Sequence, residues 1–200
     1  MIREATDHDF DEIWFIFQSV VKTGTSYVYS LHTTKDEAYR IWMTLPKKTY
    51  VMLNDQGTIV GTYYIKQNRP DLGSHICRCG YMVHPDVRRQ GIGEAMCQHS
   101  LTMAPQLGFR GMQLTYVVST NTASVNLWKK MGFKEVGCVP NAYQHAEFGD
   151  VDVLIMYQSL TNWGNFFFVG GVINEIIKFT TIIHVPFGRD LNDSVGNGCQ

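Results

Sequence analysis

The chain has little net charge of either sign. Its 200 residues hold 17 Lys and Arg against 18 Asp and Glu, and the pI is about 6.6. No basic patch of the kind that binds nucleic acid is present, so no nucleic-acid partner is expected. A disulfide framework is missing too. The cysteines number five, and Cys77 and Cys79 lie two apart on a strand pattern rather than in C-x-x-C spacing. They read as reduced structural residues, which fits a cytoplasmic location. No histidine cluster has zinc-ligand spacing, so no metal is expected. The first residues, MIREATDHDFDE, are polar and acidic and do not read as a signal peptide. The most apolar stretch, 166–185, is interrupted by Asn174, Glu175, Lys178 and His184, so a membrane span is not expected.

What is present is organised around residues 77–106. An apolar strand ending in Tyr81-Met82-Val83 is broken by His84-Pro85-Asp86. Arg88-Arg89-Gln90-Gly91-Ile92-Gly93 then runs into a helical pattern with Ile92, Ala95, Met96, His99, Met103 and Leu107 on one face. A helix start behind glycines favours anions, because its first amides lack partners and the helix dipole is positive there. Gly91 and Gly93 let backbone approach a phosphate, and Arg88 and Arg89 add charge at the mouth. A Walker loop is excluded, since G-x-x-x-x-G-K-[ST] is absent. A dinucleotide fingerprint is excluded as well, because Met96 stands at its third glycine.

The remaining chain alternates strands and helices, which argues for a mixed α/β sheet. Ile2–Ala5 reads as a strand. Thr6 and Asp9 resemble a capping box ahead of a helix with Phe10, Ile13, Trp14, Phe17 and Val20 or Val21 on its inner stripe. A second helix is expected over 36–45, and a hairpin turn at Asn54–Gly57. Further strands are expected at 112–118, 133–139 and 151–157. A loop is expected over 140–150, and a helix begins at Ser119-Thr120-Asn121.

Two segments carry a family resemblance. Arg88-x-x-Gly91-x-Gly93 between strand and helix resembles motif A of the GCN5-related N-acetyltransferases (GNAT). Residues 121–133, Asn-x-x-Ser-x-x-Leu-Trp-x-Lys-x-Gly-Phe, resemble motif B of the same family, with Trp128 where tyrosine is usual. The resemblance covers residues 1 to about 158. It implies the GNAT acyl-CoA N-acyltransferase fold, a mostly antiparallel sheet of six to seven strands flanked by helices. It also implies acetyl-CoA as acetyl donor. The pyrophosphate would be held by Arg88, Arg89, Gln90, Gly91, Ile92 and Gly93. The carbonyl would be polarised by a backbone amide around Met82 or Val83, with the pantetheine arm between splayed strands at 77–83 and 112–118. Asn121 would bond that arm, cap its helix, or do both. Trp128 would wall the thiol site or pack.

The loop Ala142–Val151, with the Ser26-Tyr27 region, is most similar to the small-molecule phosphinothricin-type members. This implies a small, amino-acid-like amine acceptor, contacted by Tyr27, Tyr29, Tyr143 and His145. A protein amine as acceptor and a catalytically silent acyl-CoA-binding module are the alternatives. An alkylammonium costs roughly 4–5 kcal/mol to deprotonate at pH 7, so a base is worth about 10²- to 10⁴-fold. The resembling enzymes carry a glutamate seven residues before the motif's proline, and that register places Arg78 here. The remaining base candidates are His145, Glu147 and a water chain ending on a carboxylate. His145 and Glu147, with Asn121, form the catalytic set this reading names. His84 reads as a strand-end residue. The domain is expected over 1–158. Residues 159–200 form an extension read as a dimer arm, a packed helix or a non-native segment.

Overall fold

Helix α1, Phe10–Val21, begins where Thr6 and Asp9 close a reciprocal capping box. Its inner stripe buries Phe10, Ile13, Ile16, Phe17, Val20 and Val21, while Trp14 is only partly buried. The computed structural model describes residues 1–87 and 89–161, so Arg88 and the apolar stretch at 166–185 lie outside the described residues. The proposed boundary near 158 falls inside a strand, and Leu160 is buried in the core.

Seven strands form one sheet in the order β1-β2-β3-β4-β5-β7-β6. They are β1 Ile2–Glu4, β2 Lys48–Leu53, β3 Ile59–Gln67, β4 Ile76–Val83, β5 Gly111–Val118, β6 Lys134–His145 and β7 Gly149–Ser159. Every neighbouring pair is antiparallel except β4 and β5. Helix α1 and the short α2, Lys35–Tyr39, cover one face. There Trp42 is fully buried and donates through Nε1 to Thr62 Oγ1 at 3.0 Å. Helices α3, Ile92–Gln106, and α4, Thr122–Lys130, accompany the other core, built on Tyr63, Cys77, Leu101, Met112 and Met156.

Four elements differ from the sequence expectation. The helix expected over 36–45 keeps its α form only through Tyr39. Arg40–Thr44 widens into a π turn, closed by Leu45 N–H on the Arg40 carbonyl at 2.9 Å. The inner face of α3 turns by one residue, to Ile92, Met96, Cys97, Ser100, Leu101 and Ala104. Ser100 is tolerated inside because its hydroxyl meets Tyr81 Oη at 2.6 Å and the Cys97 carbonyl at 2.7 Å. β6 continues to His145 through the segment expected as a loop. Pro140-Asn141 looks like a turn but forms a bulge, with the register shifting between Val139 and Tyr143 and Asn141 N–H on Asp152 Oδ1 at 2.9 Å. Finally, β7 is longer at both ends than 151–157.

The Asp9 carboxylate receives two bonds from Arg3, at 2.6 and 2.7 Å, one from Thr6 N–H at 2.7 Å and one from Thr6 Oγ1 at 2.9 Å. The Arg3 bonds are the main cause holding it well below the usual carboxylate range, against the opposing effect of burial. A carboxylate depressed in the folded state stabilises fully above the ordinary value of about 3.9 and loses that contribution as pH falls further. Asp9→Asn is therefore expected to cost about 1–2 kcal/mol at pH 7, a figure reduced because Arg3 is partly solvated. The loss should shrink at pH 3. Denaturant unfolding at both pH values checks this, and an equal loss at the two would contradict it.

Candidate functional site

β4 and β5 run parallel, but they pair only at Ile76 with Gly111 and Cys77 with Met112. Beyond those two positions the strands part. Tyr27 shows which groups face the gap. Its hydroxyl donates to the Tyr81 carbonyl at 2.8 Å and accepts from the Tyr81 N–H at 2.9 Å. Tyr81 lies opposite Tyr63 on β3, so this is a non-hydrogen-bonded pair, and both its polar groups point away from β3. The alternation then turns the Val83 amide to the same open edge and commits the Met82 amide to β3. His84 N–H, bonded to the Val60 carbonyl at 2.9 Å, keeps the same alternation. Of the two amides expected to polarise a carbonyl, Val83 is the one that faces the gap. The Met82 side chain is buried under α1.

The turn into α3 lies at the end of β4. Gly91 is the N-cap with φ 76°, and no side chain caps the helix. The first amides of α3 are therefore left for an anion. Arg89 also takes a left-handed φ of 65°, uncommon for a residue with a side chain. Gln90 and Gly91 are exposed. Ile92 is a core anchor, so only its backbone is available to a ligand. A Cβ at Gly93 would meet only Leu127, at 3.4 Å. Glu94 and Lys130 join the starts of this helix and the end of α4 at 2.7 Å.

Asn121 caps α4, with Oδ1 accepting from Ser124 N–H at 3.2 Å. Its amide nitrogen is not used in that cap. Trp128 is buried, its ring 5.0 Å from Tyr81 and 6.2 Å from Phe133. It packs as core between α4 and β4.

Opposite the α3 turn, a cleft of about 410 Å³ is lined by residues that include Tyr27, Tyr29, Tyr116, Tyr143 and Gln144. Tyr27 and Tyr29 stack with centroids 5.6 Å apart. Tyr143 donates to the Tyr27 carbonyl at 3.2 Å, and Tyr116 donates to the Ala142 carbonyl. Burial raises the phenols of Tyr27, Tyr29 and Tyr143 above their ordinary value, so they stay neutral. Tyr116 was not expected from sequence. It sits on β5 just past the divergence, where only the tertiary gap gives it a role.

His145 is buried but does not line this cleft. Its Nδ1 accepts from the N–H groups of Glu147 at 3.1 Å and Phe148 at 3.3 Å, and its ring stacks on Phe148. The neutral ring then carries its proton on Nε2, with its lone pair already engaged, and this counts against His145 as the base. Glu147 is exposed in the same turn. Among the described residues, no Asp, Glu or His lines the cleft. His84 stacks on Phe15 of α1, as a strand-end residue would.

The Acetyltransferase (GNAT) family model matches residues 10–133. A GCN5-related N-acetyltransferase from Kribbella flavida has 35% sequence identity and a TM-score of 0.76, covering 80% of this chain and 96% of that one. N-acetyltransferase aca1 of Schizosaccharomyces pombe is 36% identical over 85 residues, 42% of this chain and 41% of the relative. Peptidyl-lysine N-acetyltransferase YjaB of Salmonella typhimurium is 36% identical over 88 residues, 44% of this chain and 51% of the relative. The chain thus spans about half or less of the length of these curated relatives.

The Tyr27 hydroxyl supplies both a donor and an acceptor to Tyr81. Tyr27→Phe leaves those two groups without that partner at the strand edge and is expected to cost about 1–3 kcal/mol. Thermal and denaturant unfolding measure this, and an unchanged midpoint would show that solvent replaces the hydroxyl.

Proposed function

Since the chain belongs to the GNAT acetyltransferase family, we propose that it transfers the acetyl group of acetyl-CoA to the amine of a small acceptor. The observation that carries this reading is the pairing of one open strand edge with one uncapped helix start. The β4 edge at Val83 lies beside the divergence from β5, and α3 begins at Gly91 with free amides. The pyrophosphate sits on the amides of Ile92 and Gly93, with Arg89 and Gln90 at the mouth. The pantetheine arm lies in the gap against β4, within reach of the Asn121 amide. The thioester carbonyl accepts from the Val83 N–H, which stabilises the oxyanion as the amine attacks. The coenzyme thiolate leaves, and its ordinary pKa near 8.5 makes a general acid of little value.

The acceptor enters from the cleft of Tyr27, Tyr29, Tyr116 and Tyr143. Its proton leaves to water, because burial holds the phenols of Tyr27, Tyr29 and Tyr143 neutral and the His145 lone pair is engaged in its turn. His145 and Glu147 position the β6–β7 turn against the loop that carries Tyr27, where Ala146 N–H bonds the Gly24 carbonyl at 3.2 Å. The YjaB similarity favours a peptide lysine as second acceptor. A panel of free amines and lysine peptides, scored by thiol release, separates the two. Acetyl-CoA binding with no turnover on either would leave a silent binding module.

Two measurements test the machinery. Gly93→Val adds bulk beside the first amides of α3 at a position with room for a side chain, and it is expected to weaken acetyl-CoA binding about tenfold or more. Calorimetry reads the affinity, and parent-like binding would sink the pyrophosphate assignment. The pH profile tests the proton's route. With only the free amine reactive, kcat/KM is expected to climb toward the acceptor's own ammonium pKa, and His145→Ala is expected to keep that climb. If His145→Ala abolishes it instead, His145 is the base.

A further inference from the structure

Arg78 and Lys66 form a cationic pair with no acid beside it among the described residues. They are direct cross-strand partners on β4 and β3. Like charges directly opposite one another destabilise a sheet. Arg78 Nε is buried and has no hydrogen-bond partner among the described residues. No ion pair of either residue occurs there. The groups that face the pair electrostatically are the phenols of Tyr29 and Tyr64. The Lys66 ammonium lies 5.0 Å from the Tyr64 ring centroid. Burial first, and the Arg78 charge second, bring Lys66 down to about 8, so it remains a cation at neutral pH.

The position of the pair gives it meaning. Arg78, Gly80 and Met82 project from β4 toward the α1 face, opposite the α3 turn. Tyr29 joins Arg78 to the tyrosine cleft, which it lines. On its other side Lys66 lines a surface hollow of about 540 Å³ with Lys47 and Arg69, and among the described residues no acidic one lines that hollow. A half-buried arginine whose buried Nε has no partner, next to a second cation and without a carboxylate among the described residues, is half of an ion pair. A planar fork of donors matches a carboxylate.

We propose that Arg78, supported by Lys66, binds the carboxylate of an amino-acid acceptor and makes the site selective for carboxylate-bearing amines. The proposal rests on the acetyltransferase reading and narrows its substrate class. The amine then lies in the tyrosine cleft while the carboxylate reaches across Tyr29 to Arg78.

The test compares free amino acids with their α-amides as acceptors for the full chain, by thiol release from acetyl-CoA. The parent is expected to prefer the free acids by about tenfold or more in kcat/KM. Arg78→Gln should lower kcat/KM for the acids by about 10²-fold, chiefly through KM, and leave the amides within about twofold. Arg78→Lys should recover part of the preference. Acetyl-CoA affinity, read by calorimetry, should stay at the parent value in both variants. A parent without preference, or an Arg78→Gln that slows acids and amides equally, overturns the proposal. Should Arg78→Gln fail to fold, Lys66→Gln reads the same ratio. A failure of the acetyltransferase reading looks different, as no acetyl-CoA binding and no thiol release with any amine. Calorimetric titration of a free amino acid against its amide then still decides whether Arg78 recognises a carboxylate, and equal binding of the two, or binding of neither, overturns it.

Discussion

The structure depends on two parallel strands that are pinned together at one end and held apart at the other. Gly111 makes the pin. A Cβ there would lie 2.5 Å from Tyr157 Oη and 2.8 Å from Ile76 Cδ1, so any side chain would have to displace Tyr157 and Ile76 where β5 closes on β4. The ladder stops after the next pair, Cys77 with Met112. β5 then shifts register against β7 between Leu114 and Val117, an irregularity that bends the strand. Tyr27 enters on the β4 edge at Tyr81 and satisfies the backbone that a neighbouring strand would otherwise satisfy. An open edge inside a sheet is costly unless something pairs with it. The proposed pantetheine arm is a group of the right shape and hydrogen-bonding character to do so.

The two faces around that gap differ in chemistry. On the α3 face the groups proposed to bind ligand are backbone amides, fixed by a glycine turn and insensitive to pH. On the α1 face they are phenols that burial keeps neutral. Neutral phenols orient a substrate but take no proton at neutral pH. A buried ammonium finds no carboxylate in the cleft lining, and burial without an ion pair favours the uncharged amine. That is the form acyl transfer needs.

The elements that build the proposed cofactor side are legible in the sequence because their signals are local. The strand break at Pro85, the glycines at 91 and 93, and the Asn121 cap each act within a few residues of themselves. The inner stripe of α1 was legible for the same reason. The acceptor side was not, because its groups meet only in three dimensions. Tyr116 and Tyr143 come from different strands, and Tyr27 finds its partner 54 residues away. The sequence at Pro140-Asn141 predicts a loop where β6 runs on, because a bulge and a turn share the same residues. His145 matched a family loop by position. Its Nδ1 contacts with the next turn, which change its chemistry, could not be seen in a one-dimensional pattern.

On the resemblance to the phosphinothricin-type enzymes, Arg78 would recode the proposed acceptor site while the fold stays the same. The phosphinothricin-type enzymes that the sequence resembles carry a glutamate at this register, and a carboxylate there can take a proton. A guanidinium cannot be deprotonated in a protein, so the residue cannot inherit that role. It retains the direction of the side chain, out of β4 toward the α1 face, and reverses the charge. Reversal also changes what the neighbours must be. A glutamate would have paired with Lys66 across the ladder, whereas arginine leaves two cations side by side with two phenols and no counter-ion. A folded chain tolerates such a pair at some cost in stability. A bound carboxylate removes the repulsion and fills the unused donor, so the cost reappears as affinity for an anionic acceptor.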